Sequence, residues 1–248
     1  MIEFKKTYSP VKFYLINILL ILVIVLVGFI LLSSEIFKVK NVEVKGSTIY
    51  SDAVIKDMVL NDKYKNNGLY NVVKNMIRPR DDIPFVDEVK VQLKGRNTVV
   101  ITVKEKKLAG YLAEGDKYVY FDEDAIVREI SEAKVEKDEI IETQGLKVKD
   151  SVIGKELQTA SGRSKALSII YKNMISRRIP ISLIKFDESD GTIMIRSKKI
   201  DVMLGTKTNL EEKLRRLSYI LPKLKKESGV LHLEDFSEEN TDIVFEEK

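Results

Sequence analysis

The chain has 248 residues, enough for a membrane anchor plus one or two modest domains. Its 42 basic and 38 acidic side chains are interspersed, so a net charge of +4 does not make the clustered footprint of a nucleic-acid binder. Cysteine is absent, which excludes disulfides, thiolate metal sites and cysteine nucleophiles.

Residues 13–32 read FYLINILLILVIVLVGFILL, with no charge. At about 1.5 Å per residue, roughly 20 such residues span about 30 Å, the thickness of the bilayer hydrocarbon. A cleaved signal peptide has a shorter apolar core and small residues at its cleavage site. The expectation is an uncleaved transmembrane helix over residues 13–33 after a short segment, 1–12. Lys5, Lys6 and Lys12 before the span balance Lys38, Lys40 and Lys45 after it, so charge leaves the orientation open.

Beyond the anchor, FKVKNVEVK at 37–45 alternates with a slip at Asn41, which predicts a strand. Ser51 is placed to cap a helix carrying Val54, Ile55, Met58 and Val59. Asn71 is the expected cap of a second short helix with Val72, Val73, Met76 and Ile77 on one side, stopped by Pro79. Val89, Val91 and Leu93 alternate, 94–97 turn the chain, and Val99, Ile101 and Val103 alternate again, a hairpin. The order is β-α-α-β-β, a small sheet covered on one face by helices.

Residues 118–121 and 126–130 predict another hairpin around Asp122-Glu123-Asp124. A helix is expected over 163–175 from Leu167, Ile170, Tyr171 and Met174. Strands follow at 183–186, 192–196 and 200–204. Thr208 and Glu211 have the spacing of a capping box, opening a helix with Leu210, Leu214, Leu217 and Leu221 on one face. Its basic side chains, Lys213 among them, suit a solvated outer face or a docking surface. Pro222 shortens that helix, and Gly229 leads into a last strand, 230–236. The remainder, 237–248, is acidic, with Ile243, Val244 and Phe245 embedded in it.

No phosphate-binding glycine loop, zinc-protease motif or nucleophile elbow is present. His232 is the sole histidine and sits in a predicted strand between Leu231 and Leu233, a poor place for a catalytic base. The acidic pairs fall in turns and helix starts, where they cap and solvate. No catalytic, metal-binding or cofactor-binding residue is assigned.

The chain resembles the FtsQ/DivIB family of bacterial division proteins. Three blocks carry the resemblance. The first is FKVKNVEVKGSTIYSDAVIKDMV with IPFVDEVKVQLKGRNTVVITVKEKKLAGYL, which looks like a POTRA domain. The second is YVYFDEDAIV. The third and most specific is IDVMLGTKTNLEEKLRRLSYILPKLKKESGVLHLEDF, similar to the strand, capped helix and final strand of the family's β domain. Ala125 stands where the family often has glycine, and His232 where it often has aspartate.

The resemblance implies an α+β fold: a single N-terminal transmembrane helix, a POTRA domain at 35–106, an FtsQ/DivIB-type mixed β domain with flanking helices at 107–236, and an acidic tail at 237–248. It implies a non-enzymatic scaffold of the division septum with a cytoplasmic N-terminus and extracytoplasmic domains, and no cofactor. The implied partners are the coiled-coil membrane proteins FtsL and FtsB/DivIC and, indirectly, the septal peptidoglycan synthases. A POTRA-type transport protein would instead carry tandem repeats of the first domain, and a cell-wall enzyme would need a nucleophile or metal set.

A final strand after a helix is expected at a sheet edge, where a partner segment can pair with it. The expected contact residues are Val230, Leu231, His232, Leu233, Glu234, Asp235 and Phe236, with Phe245. Leu231, Leu233 and Phe236 are the expected determinants of fit. If Leu231 and Leu233 point inward, His232 and Glu234 face out and the backbone does most of the binding.

Overall fold

The computed structural model describes residues 10–159, 162–224, 227–237, 240 and 242–248, with side chains for all of these except Pro10 and 30–34. Most of the expected 1–12 segment, together with Lys225, Lys226, Glu238 and Glu239, lies outside the described residues. The fold is α+β, and the chain divides into two compact units, Met1–Glu105 and Lys106–Lys248.

Helix α1 spans Pro10–Ile36. Its stretch Val11–Phe29 is long and apolar enough to cross a membrane, and its described leucines, isoleucines and valines are exposed all round the helix. That is the pattern of a helix solvated by lipid.

In the first unit, β1 (Asn41–Lys45) is followed by α2 (Asp52–Val59), α3 (Gly68–Ile77), β2 (Val86–Lys94) and β3 (Thr98–Glu105). The sheet order is β1-β3-β2, with β1 parallel and β2 antiparallel to β3. The strand expected at 37–45 begins only at Asn41, because Lys38 forms an isolated bridge to Asn67 before the ladder starts. Ser51 caps α2 as expected, its hydroxyl accepting from Val54 N–H at 3.4 Å.

The cap of α3 is Asn67, not Asn71. Asn67 has extended backbone, which lets its Oδ1 accept from Tyr70 N–H at 3.0 Å. Asn71 lies one turn inside the helix, buried, and donates its Nδ2 to Lys65 O at 2.8 Å. The buried face of α3 therefore runs through Asn71, while Met76 and Ile77 are 76% and 72% exposed, contrary to the apolar face read from the sequence.

Ile55, Val59, Val89, Val91, Val99, Ile101 and Val103 close the core of this unit. Ile101 is fully buried on the central strand, so Ile101→Ala leaves a cavity that its paired neighbours cannot collapse into. The expected cost is about 3 kcal/mol, read as a lowered denaturation midpoint at unchanged slope.

The second unit is built on one nine-stranded sheet. In chain order it contains β4 (Gly110–Glu114), β5 (Lys117–Phe121), β6 (Val127–Ser131), β7 (Ile141–Gln144), β8 (Val148–Asp150), β9 (Gln158–Thr159), α4 (Ser164–Arg177), β10 (Leu183–Phe186), β11 (Ile193–Ser197), β12 (Ile200–Gly205), α5 (Leu210–Ile220), β13 (Gly229–His232) and β14 (Val244–Glu247). Strands β8 and β9 form a separate ribbon. The large sheet runs β14-β13-β12-β11-β10-β7-β4-β5-β6. Its β4–β7, β7–β10 and β12–β13 pairs are parallel.

Helices α4 and α5 pack on the sheet through Leu167, Ile170 and Tyr171 and through Leu210, Leu214 and Leu217. The Tyr171 hydroxyl reaches into the sheet, 2.9 Å from Thr143 Oγ1 and 3.1 Å from Ile141 O. The turn after β5 is held by the buried Asp122 carboxylate, which accepts from Asp124 N–H and Ile126 N–H, both at 3.0 Å. Arg128 Nε donates to the same carboxylate at 2.7 Å. This turn holds Ala125 in the left-handed region, at φ 59°.

The capping box expected at Thr208 does not form. The N-cap residue is Asn209, at φ 54° with no side-chain cap bond, and Thr208 Oγ1 accepts from Thr206. Starting the helix one residue later puts Glu212 in the box position, and Glu212 is engaged by Arg215 Nε at 2.8 Å.

Candidate partner-binding edge

β12 ends at Gly205, α5 crosses back over the sheet, and β13 then runs parallel to β12. Lys213 on α5 fixes this return. It is only 2% exposed, and its Nζ donates to Leu204 O at 2.8 Å and Glu234 O at 2.7 Å. Burial pushes its pKa down, opposed by the nearby Glu234 and Asp235 carboxylates. Lys213 is therefore an internal tie and not part of the solvated face expected for this helix. At Gly205, φ is +66° and the backbone of Glu234 crosses so closely that a Cβ would meet its Cα at 3.0 Å.

The expected strand 230–236 is shorter, Gly229–His232, although Leu233 N–H still bonds to Met203 O at 2.9 Å. Leu231, Leu233 and Phe236 are buried in the core, while His232 and Glu234 are half-buried and Asp235 is exposed. The three apolar side chains expected to set a partner's fit are thus committed to the fold.

β13 is also not the edge of the sheet. The acidic tail returns as β14 and pairs antiparallel with it, in the register Gly229↔Glu247, Val230↔Glu246, Leu231↔Phe245 and His232↔Val244. Ser237 and Asn240 make the reversal: Ser237 N–H donates to Asn240 O at 2.8 Å and Asn240 N–H to Ser237 Oγ at 3.0 Å. The missed signal was the alternation after that turn. Ile243 and Phe245 pack against the core while Val244 and Glu246 face out.

The backbone of β13 points two ways. Gly229 and Leu233 direct their N–H groups to Lys199 O and Met203 O on the β12 side. By strand alternation, Val230 and His232 direct theirs outward, towards β14. His232 Nδ1 lies 2.7 Å from Glu234 Oε1, and Nε2 lies 3.7 Å from Glu246 Oε2. Both ring nitrogens face carboxylates, so the protonated ring is flanked by a negative charge on each side. The Glu234 hydrogen bond raises the His232 pKa above its ordinary 6.5, reinforced by the charges of Glu234 and Glu246 and opposed by desolvation. Among the described residues no group of three or more His, Cys, Asp or Glu is placed to hold a metal.

Residues 37–106 match the family described as POTRA domain, FtsQ-type. The chain is also 26% identical over 157 residues to the cell division protein DivIB of Clostridium acetobutylicum, a match covering 60% of this chain and 60% of that relative. Both matches support the FtsQ/DivIB family. It spans about 60% of the length of the curated relative it matches. The FtsQ-type match coincides with the β-α-α-β-β unit that follows α1.

Two measurements check this site. In Lys213→Met the aliphatic stem stays, but one buried and one part-buried carbonyl lose their donor. The expected destabilisation is about 2–4 kcal/mol, seen in denaturant unfolding followed at the second unit. The lone histidine gives an unambiguous NMR titration, expected to turn above pH 6.5, with Glu234→Gln moving it down. Because the folded pKa is raised, the stabilisation from protonated His232 is full below the unfolded value and fades as pH rises through the folded one.

Proposed function

We propose that this chain is a non-enzymatic, single-pass membrane scaffold of the bacterial division machinery. Its partners are the coiled-coil proteins FtsL and FtsB/DivIC, and through them it regulates the septal peptidoglycan synthases. The observation that carries this reading is the pairing of an FtsQ-type POTRA match with a DivIB relative that is itself a cell division protein. A helix long and apolar enough to cross a membrane lies directly before that match and supports anchoring.

In this reading residues 1–12 are cytoplasmic, 13–33 span the membrane, and the POTRA domain (35–106) and β domain (107–236) are extracytoplasmic and enriched at the septum. The β domain supplies the partner contact at the β13–β14 end of its sheet, where Val230, His232, Glu234 and Asp235 offer side chains beside the backbone groups of Val230 and His232 that face β14. Leu231, Leu233, Phe236 and Phe245 form the apolar backing of that contact.

The absence of native cysteine allows a direct topology test. Ser131→Cys is expected to react with a membrane-impermeant thiol reagent on intact cells, and Ser9→Cys only after permeabilisation. The reverse pattern would overturn the orientation. Affinity purification of the tagged full chain from dividing cells is expected to recover FtsL- and FtsB/DivIC-type proteins. Recovery of secretion or outer-membrane assembly factors in their place would overturn the division assignment.

A further inference from the structure

The strand that closes the sheet has features of a replaceable part. β14 pairs with β13 over only four residues and has no strand on its other side among the described residues. Its Val244, Glu246 and Glu247 are exposed, and only Phe245 packs towards the core, opposite Leu231. Beyond the ladder it is held by Lys248 N–H to Ser228 O at 2.8 Å and by Ile243, which packs against the core just before it.

The receiving edge, by contrast, is built for a strand. Gly229 lies at the foot of β13, in a backbone conformation open to any residue, yet a Cβ there would collide with Glu246 O and crowd the Phe245 ring. Val230 and His232 present their N–H and C=O outward. His232 stands between Glu234 and Glu246, with Nε2 buried and making no hydrogen bond. The charged groups around it are Glu234 on its own segment, Asp235 and Asp242 on the flanking turns, and Glu246 on β14. A mostly exposed, short, acidic strand is therefore seated in a tailored slot by Phe245 and the preceding Ile243, and by Glu246 beside His232.

We propose that β14 is a resident stand-in for an exchangeable strand, and that the binding partner displaces it from β13. The inference rests on the partner-binding reading above. It also specifies the partner's chemistry: an antiparallel segment with a large apolar residue over Leu231 and Gly229 in place of Phe245, and an acidic residue beside His232 in place of Glu246. Such a segment gains the backbone bonds of β13 only after β14 leaves. The apparent affinity of the full chain is thus the intrinsic affinity reduced by the fraction of molecules with the edge open.

The test uses the full chain in zwitterionic micelles, a chain ending at Ser237, and full-length Val244→Pro, which weakens β14 without removing it. The probes are a labelled peptide with the sequence of residues 242–248 (DIVFEEK) and the cognate FtsB/DivIC-type protein. The peptide is expected to bind the shortened chain and not the full one. The FtsB/DivIC-type protein is expected to bind both the shortened chain and Val244→Pro about tenfold or more tighter than the full chain, with the peptide competing. Gly229→Ala in the shortened chain, folded by circular dichroism, is expected to lose both ligands together.

If the peptide fails to bind the shortened chain, or the partner binds that chain no better than the full one, strand exchange is overturned and partner binding stands. Weaker partner binding to the shortened chain would mean that β14 is itself the contact strand, which also overturns exchange. If the peptide binds and the FtsB/DivIC-type protein binds no form, the exchange slot stands and the division-partner reading falls.

Discussion

The second unit depends on one buried ammonium group. A parallel strand cannot follow its neighbour directly, so after β12 the chain must cross over through α5 and return in the same direction. Lys213 ties that crossover shut, holding the last carbonyl region of β12 and the carbonyl of Glu234 to the same helix. The cost of burying the charge is offset by two charge-assisted hydrogen bonds and by Glu234 and Asp235 nearby. The tie adds to the β12–β13 ladder, which sets the register of His232, by fixing where the chain leaves that ladder at Glu234.

Much of the architecture was legible because it rests on periodicity. Alternation found β2, β3, β5, β6 and the β10–β12 meander, and a single uncharged, mostly apolar run found α1. Three features were hidden for identifiable reasons. Asn71 and Asn67 are the same residue type four positions apart, and only the backbone angle before the helix decides which one caps. Thr208 has the right partner at the right spacing, yet the left-handed Asn209 starts the helix late and Arg215 takes the glutamate. Lys213 belongs to a row of basic residues, and sequence alone gives no reason to single out the one whose direction points inward.

The candidate site was half legible. Leu231 and Leu233 inward with His232 and Glu234 outward follows from strand alternation and agrees with their burial. The edge itself was misplaced, because a run of glutamates reads as a solvated tail. Ile243 and Phe245 reverse that reading: both pack against the core, and a glycine at 229 leaves room for the backbone of the acidic segment beside them.

The order of the large sheet carries a consequence for synthesis. Read from one edge to the other, it runs 6-5-4-7-10-11-12-13-14. After the first hairpins, every strand is laid on the same growing side in the order in which a ribosome would deliver it. A nascent chain thus meets a ready template at each step, and none of these additions requires a strand to be inserted between two already paired. The sheet can assemble vectorially despite its parallel crossovers, which limits the lifetime of open edges during synthesis. The growing side ends at the last strand delivered, so the youngest addition to the sheet is also the one with the fewest neighbours to hold it.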